Sequence, residues 1–178
     1  MLVFADVVAS DIQMMWRALG RDDFSVELRD ELYSEGKPAV LRIMYGRGRP
    51  ETEAHDLLCE VKEQIIAELG TRRWAESIPA LNIRSGLFQP ESSFVHAVQG
   101  MTADTTHAVM MMMQGWLRLN EHREQTAEIL GEKHDGMFML VDSFFAEMYL
   151  AKISEFYQAL GVSEIKTKVI RFDRELSN

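Results

Sequence analysis

The sequence predicts an α+β fold with a small N-terminal and central sheet, made of a hairpin and short strands, before a helix-rich C-terminal half. That half should hold two or three helices and end in a strand. Short apolar runs broken by glycine and proline dominate before residue 100, whereas runs with helical spacing follow residue 102. Alternating apolar and charged residues then return near the C-terminus. The change in the spacing of apolar residues along the chain therefore predicts the fold class.

Composition places the chain among ordinary globular proteins. Of its 178 residues, 47% are hydrophobic and 26% charged, which predicts one domain over residues 1–178. Cys59 is the only cysteine, so no intrachain disulfide can form. No apolar run reaches the roughly 20 residues of a membrane helix, and the first residues lack a basic secretory start. We therefore expect a cytoplasmic protein that does not enter a membrane.

The first elements allow two interpretations. Phe4–Leu19 has apolar residues at helical spacing, although its opening, Leu2–Ala9, is equally compatible with a strand. Apolar residues alternate over Phe24–Leu28 as in a half-buried strand, and Leu32–Tyr45 then resembles a hairpin around a central turn. A helix over Asp22–Glu35 is the alternative for the same stretch.

The middle of the chain contains one clear helix. Thr52–Leu69 carries a single apolar stripe, and Gly70 stands at the position of a C-cap. Beyond it, the spacing of glycine and proline predicts short strands near Leu81–Ile83 and Phe94–Val98.

Three helices and a strand are predicted after residue 100. Thr102 has the chemistry of an N-cap for a helix that reaches about Leu119. A second helix is expected over Glu121–Leu130, and a third over Asp135–Leu160. The closing stretch, Ile165–Phe172, alternates lysine with apolar residues, which suits an exposed sheet edge.

The most unusual feature is methionine, with twelve in the chain and four in succession at Met110–Met113. Four consecutive helical residues point around the whole circumference, so this helix is either buried on all sides or meets a partner. Methionine is flexible and polarizable, which suits adaptable apolar binding surfaces, although a methionine-rich core explains it too. Six residues of this helix and of the predicted helix over Asp135–Leu160 are the candidate ligand-binding set: Met112, Trp116, His107, Asp142, Phe145 and Glu147.

Two of those candidates are carboxylates inside a very apolar run. Asp142 and Glu147 would lie about 140° apart on one helix, so they cannot form a side-by-side pair. Each is then either a polar anchor in an apolar pocket or a structural partner of an arginine or backbone N–H.

Arginines offer an anion site as an alternative. Arg47 and Arg49 lie in a glycine-rich loop before the clear helix, and Arg42, Arg72 and Arg73 are near them in sequence. A net charge of −9 repels phosphate backbones, so nucleic-acid binding is disfavoured and a solvated loop is the simpler interpretation.

Metal and enzyme patterns are weak. Glu60-x-x-Glu63 and Glu132-x-x-Asp135 resemble carboxylate pairs that hold Mg²⁺ against a phosphorylated substrate, but solvated helix faces explain both. His55 and Cys59 share a helix face without the further ligands of a zinc site, and we expect His55 at the edge of the polar face. The sequence contains no nucleophile elbow or phosphate-binding glycine loop. No catalytic residue, metal ligand or cofactor is assigned.

These observations favour a non-catalytic domain whose methionine-rich and aromatic surface binds a partner protein or a small hydrophobic molecule. The excess of apolar helix surface also predicts a homodimer. The alternatives are a carboxylate enzyme, either Mg²⁺-dependent on a phosphorylated small molecule or a hydrolase with a buried acid, and an anion- or nucleic-acid-binding module.

Overall fold

The structure, a computed structural model, describes residues 1–46, 48–70, 74–76, 83–85, 90–120, 126–133 and 135–171. It confirms the α+β class and the C-terminal strand. The strands are β1 Leu2–Val7, β2 Trp74–Glu76, β3 Ile83–Ser85, β4 Ala127–Lys133, β5 Gly136–Val141 and β6 Ile165–Ile170. The helices are α1 Ser10–Ala18, α2 Val26–Leu32, α3 Lys37–Tyr45, α4 Glu53–Gly70, α5 Pro90–Arg118 and α6 Ala146–Ala159, with a 3₁₀ turn at Ser143–Phe145.

The chain divides into two compact units. One contains residues 1–8 and those from 105 onward, and the other contains residues 9–104. We call them the sheet unit and the helical unit. The expectation of a single domain stays a prediction.

The sheet unit is built on four antiparallel strands in the order β4-β5-β1-β6. One face of the two central strands is buried, through Val3, Ala5 and Val7 of β1 and Met137, Met139 and Val141 of β5. Helix α6 packs against β1 and β6, and its Tyr149, Ile153 and Tyr157 are fully buried. We call the other face, which carries Asp6 of β1, the Asp6 face.

The helical unit gathers α1, α2 and α3 around α4. Its core includes Leu32, Val40, Ile43, Leu58 and Val61, all nearly or fully buried. Strands β2 and β3 form a separate antiparallel pair. The predicted α4 is confirmed almost to the residue.

The start of the chain is a strand followed by a helix, so the continuous helix over Phe4–Leu19 is wrong and the alternative strand is confirmed. The left-handed backbone of Ala9, with φ of 48°, turns the chain from β1 into α1. Helical spacing of the apolar residues before and after this turn was therefore coincidental.

The strand over Phe24–Leu28 and the hairpin over Leu32–Tyr45 are also wrong, because α2 and α3 occupy these residues. The Ser25 side chain caps α2 by accepting the N–H of Leu28 at 3.2 Å. Pro38 stands in the first turn of α3, where a missing N–H costs nothing. The alternative helix over Asp22–Glu35 includes α2, but no helix was predicted where α3 lies.

Helix α5 replaces the predicted strand over Phe94–Val98. It begins at Pro90, so Thr102 lies inside the helix instead of capping it, and its hydroxyl donates to the carbonyl of Val98 at 3.2 Å. The predicted end near Leu119 is right. Within the predicted strand near Leu81–Ile83, only the last residue is described, and it opens β3.

Two predicted helices of the C-terminal half are wrong in part. Strand β4 replaces the end of the helix over Glu121–Leu130, whose first five residues lie outside the described part of the chain. Strand β5 and a 3₁₀ turn replace the first half of the helix over Asp135–Leu160, whereas its end at α6 is confirmed. A short run that is apolar on both faces fits a central strand as well as a buried helix.

Among the described residues, no helix is long and apolar enough to cross a membrane.

Candidate functional site

The pairing of β1 with β5 brings Asp6 and Asp135 to the same end of the central strands. Asp6 is the penultimate residue of β1 and lies opposite Gly136, the first residue of β5. Asp135 immediately precedes Gly136, and its carbonyl accepts the backbone N–H of Val7 at 3.1 Å. Two carboxylate-bearing positions that are distant in sequence are therefore fixed side by side on a rigid sheet.

The pKa of Tyr157 is affected by negative charges near this end of the sheet. Burial is the largest cause that raises the pKa of Tyr157 to about 12; the charges of Asp6, Asp135 and Glu132 act in the same direction, and a hydrogen bond with Thr106 opposes them. The tyrosine O–H donates to the Thr106 hydroxyl at 3.4 Å. The phenol therefore stays protonated at neutral pH, and the charges that oppose its ionisation come from β1, β4 and the β4–β5 turn.

Glu132 pairs with a histidine. Its Oε1 lies 2.7 Å from Nε2 of His107 on α5, and this pair is partly exposed. Asp6 and Asp135 lie at the paired ends of β1 and β5.

Carboxylate oxygens are the donors that hard cations such as Mg²⁺ prefer. Among the described residues, no group of three or more His, Cys, Asp or Glu side chains is arranged to hold a metal ion. Mg²⁺ is usually held by one or two carboxylates together with the phosphates of its substrate. Asp6 and Asp135 supply two carboxylates at one end of the central strands, and the chemistry of these oxygens fits a divalent cation shared with a phosphorylated substrate.

Close packing surrounds the site on the Asp6 face. The rings of Phe4 and Phe138 stack with centroids 4.5 Å apart. A Cβ at Gly136 would approach Cε2 of Phe4 to 2.5 Å and the carbonyl oxygen of Ala5 to 2.8 Å. Only glycine therefore fits at the position opposite Asp6.

A second polar cluster lies within the helical unit. Asp11 of α1 accepts the hydroxyl of Tyr45 at Oδ2 and the hydroxyl of Thr102 at Oδ1, the latter at 3.1 Å. Burial first, and then the neighbouring Asp11 charge, raises the pKa of Tyr45 far above its usual range. This network ties α1, α3 and α5 together through a carboxylate that has two hydroxyl donors.

The predicted ligand residues of α5 are spread along the helix. His107 is exposed and contacts Glu132, whereas Met112 is half-buried. Trp116 packs edge-on against Tyr149 with ring centroids 6.0 Å apart, and the ammonium of Lys152 lies 5.6 Å from its ring centre. Trp116 therefore contacts α6, whereas His107 contacts Glu132 of β4.

The three remaining candidates lie around the 3₁₀ turn. Asp142 is exposed, and its side chain caps the turn by accepting the N–H of Phe144 at 2.8 Å. Phe145 packs against Phe144, and Glu147 is exposed in the first turn of α6. The expectation that Asp142 lies inside an apolar helix is wrong, because it caps the 3₁₀ turn after β5, whereas Glu147 does lie in a helix, at the start of α6.

The predicted anion site is only partly described. Arg42 and Arg49 are exposed, whereas Arg47, Arg72 and Arg73 lie outside the described residues. Nearby, the ammonium of Lys62 closes the end of α3 by donating to the carbonyl of Ile43 at 2.8 Å. Glu60 and Glu63 are exposed on α4, as a solvated helix face requires.

His55 corrects one expectation. It is fully buried instead of lying at the edge of the polar face. Its Nδ1 accepts the N–H of Glu51 at 3.3 Å, which leaves Nε2 protonated to donate to the carbonyl of Leu32 at 2.9 Å. Burial raises the pKa of Cys59 on the same helix. Both observations fit a structural histidine and a thiol that stays protonated.

Sequence reasoning missed Asp6. Its significance depends on the strand register, which places it beside Asp135, and no local motif encodes that pairing. The available signal was a charged residue at the end of an alternating strand, together with an acidic residue directly before an apolar run.

No protein-family model matches the chain, and no curated protein sequence is significantly similar to it. A solved structure has the same fold: the POL domain of Pol1 from M. smegmatis, in complex with DNA primer-template and dNTP. The TM-score is 0.61 at 14% sequence identity, and the match covers 93% of this chain. This chain spans only 38% of the length of that one. The likeness establishes a shared fold.

Proposed function

We propose that this chain transfers nucleotides to a nucleic-acid end in a reaction that depends on a divalent cation bound at Asp6 and Asp135. The register of β1 against β5 carries the proposal, because it holds these two carboxylates at one end of the central strand pair. The terminal hydroxyl of a nucleic-acid strand would attack the α-phosphorus of a nucleoside triphosphate. A phosphodiester bond would form, the α–β phosphoanhydride bond would break, pyrophosphate would leave, and the hydroxyl proton would pass to solvent.

The solved neighbour supports the class of substrate. That protein is bound to DNA primer-template and dNTP. The match covers 93% of this chain and 38% of the neighbour. The reaction also agrees with the donor set, since clustered carboxylates hold the cations that accompany phosphates. The proposal thus rests on a local site and a fold that point to the same chemistry.

Each residue has a defined task in this proposal. Asp6 and Asp135 provide the oxygen ligands, and the bond between Val7 and the Asp135 carbonyl holds their backbones in register. When bound, Mg²⁺ neutralises charge on the transferred phosphates and lowers the pKa of the attacking hydroxyl. Tyr157 stays protonated behind the carboxylates, so it adds no competing negative charge.

Primer extension tests the proposal. We expect the chain to add nucleotides to a labelled primer–template when Mg²⁺ is present and to stop when EDTA is added. Asp6→Asn and Asp135→Asn each remove an anionic ligand and should slow incorporation by roughly 100-fold or more, the size of a lost electrostatic contact in an active site. Glu147→Gln is the matched control, because this exposed carboxylate on α6 has no part in the site.

Wild-type protein without Mg²⁺-dependent incorporation would contradict the proposal. So would Asp6→Asn and Asp135→Asn variants as active as Glu147→Gln, because incorporation would then not require the carboxylates.

A second proposal keeps the binding surface that the sequence predicts. Met111 of the methionine run is 73% exposed and Leu119 is 87% exposed, whereas Met113 is fully buried. The outward part of this helix therefore offers apolar area that a second copy of the chain, a partner protein or a small hydrophobic molecule would cover. We also propose a cytoplasmic location, in keeping with a nucleotide-using reaction.

A further inference from the structure

We propose that Lys166 and Lys168 of β6 bind phosphate groups of the nucleic-acid strand beside the Asp6–Asp135 site. This inference rests on the proposed function and assigns the residues that hold its substrate. It also gives a role to the alternating lysines of the last strand.

The strand register places both lysines on the Asp6 face. Lys166 lies directly opposite Asp6, and Lys168 lies directly opposite Phe4. Directly opposed residues of antiparallel strands point to the same side of the sheet, with Cβ atoms about 4.5–5.5 Å apart. On the other flank of Asp6, the opposed residue is Gly136, which has no side chain. The charged side chain directly across from Asp6 is therefore a lysine.

The two ammonium groups are available to a ligand. Both lysines are exposed, and β6 is the outer strand of the described sheet. Within the described part of the chain, neither lysine forms an ion pair or a hydrogen bond through its side chain. In a chain with a formal net charge of −9, two adjacent lysines on one face form a local positive strip.

Burial does not explain why the lysines occupy this face. Thr167 and Val169 point to the other side of β6 and are also exposed. Lysine on an edge strand discourages pairing with another chain, but it does so from either face. Placement on the Asp6 face is what a role at the carboxylate site requires.

The spacing of the lysines suits a nucleic-acid backbone. Residues two apart on a strand are separated by about 7 Å, at roughly 3.4 Å per residue. One strand of DNA carries a phosphate for about every 3.4 Å along the helix axis. The strip therefore spans about two phosphate steps while Asp6 lies next to Lys166.

Salt-dependent binding of a labelled primer–template, followed by fluorescence anisotropy, tests the inference. Lys166→Gln/Lys168→Gln should bind more weakly, and the slope of log K against log salt should fall by about two, close to one for each phosphate contact. The loss should be equal on two duplexes of unrelated sequence, because phosphate contacts carry no base information.

Two controls separate phosphate contact from structure. Lys166→Arg/Lys168→Arg keeps both charges and should retain the wild-type slope. Arg118→Gln removes one positive charge from an exposed position at the end of α5 and should leave the slope unchanged. Thermal unfolding of the glutamine variant should match that of the wild type, whereas a purely structural role would lower it.

The outcomes distinguish the inference from the proposed function. If the wild type binds and extends the primer while the double glutamine variant keeps the wild-type slope, the lysine inference is overturned and the function stands. If the wild type neither binds nor extends the primer, the proposed function fails and the inference fails with it. A slope that falls equally in Arg118→Gln would also overturn the inference, because the effect would then be one of overall charge.

Discussion

Glycine at position 136 shows how tightly one residue controls the geometry of the carboxylate site. The strand pair can bring Asp6 next to Asp135 only if the backbone at 136 approaches Phe4 and Ala5 without a side chain. Flexible groups can move away from a new methyl, but the carbonyl oxygen of Ala5 belongs to the backbone of the central strand. The identity of one residue therefore fixes the register on which the site depends.

Replacing this glycine should destabilise the sheet. Gly136→Ala forces a Cβ to within 2.8 Å of the Ala5 oxygen, so the strands must separate locally. We expect the free energy of unfolding to fall by roughly 1–3 kcal/mol, as for other overpacked sites. Urea denaturation measures this. Gly115→Ala on α5 is the control: its Cβ would meet nothing within 4 Å, so stability should stay equal or rise.

Tyr157 should make the stability of the protein depend on alkaline pH. Because the folded-state pKa is about 12, against about 10 when unfolded, the stabilisation is complete below pH 10 and is lost as pH rises from 10 to 12. Two pH units correspond to roughly 2–3 kcal/mol. Chemical denaturation at a series of pH values should therefore show a shallower decline for Tyr157→Phe than for the wild type. Parallel declines would mean that this phenol titrates normally in the fold.

At the same scale, sequence reasoning found half of the site. It singled out Asp135 through its spacing from Glu132, but the structure gives Glu132 to His107 and sets Asp135 beside Asp6. Sequence spacing identifies residues that are neighbours along one helix or loop, whereas this pair depends on the register of two strands that are distant in the chain. The sequence alone does not give that register.

Elements whose hydrophobic pattern fits one type of secondary structure were predicted correctly. Elements whose pattern fits both a strand and a helix were not. Helix α4 has one apolar stripe and a charged face, and β6 alternates cleanly, so both agree with the sequence. Strand β5 is apolar at nearly every position, and that pattern is also typical of a buried helix. Tertiary position decided its conformation.

The cap of α2 provides a test at the level of elements. The Ser25 hydroxyl accepts the N–H of Leu28, an otherwise unsatisfied donor at the start of a short helix. Ser25→Ala should lower the free energy of unfolding by about 1 kcal/mol in urea denaturation. Ser34→Ala, at an exposed position after the same helix, should change stability by less than about 0.5 kcal/mol. Equal effects of the two substitutions would show that the cap does not stabilise α2.

For the whole molecule, the net charge and the local distribution of charge lead to different expectations about the ligand. A charge of −9 argued against nucleic acid, although the arrangement of individual charges differs from their sum. The lysine strip of β6 is positive beside an acidic pair that a divalent cation would neutralise. The composition of a chain cannot give such a local distribution, because it depends on which strands pair.

Oligomeric state is the prediction that belongs to this scale. Met111, Leu119 and Phe144 expose 73%, 87% and 86% of their surface, and a two-fold interface would bury such residues twice over. We expect light scattering at micromolar concentration to give twice the 20.4 kDa mass of one chain. Met111→Lys should shift the mass toward the monomer. A mass of one chain that does not change with concentration would contradict the dimer.

Binding of a divalent cation by Asp6 and Asp135 together can be measured with Mn²⁺ and electron paramagnetic resonance. With primer–template and a nucleoside triphosphate present, we expect wild-type protein and Glu147→Gln to bind Mn²⁺ equally well. Asp6→Asn and Asp135→Asn should each weaken that binding by roughly 10-fold or more, a loss of about 1.4 kcal/mol. Unchanged Mn²⁺ affinity in both asparagine variants would show that Asp6 and Asp135 do not hold the cation.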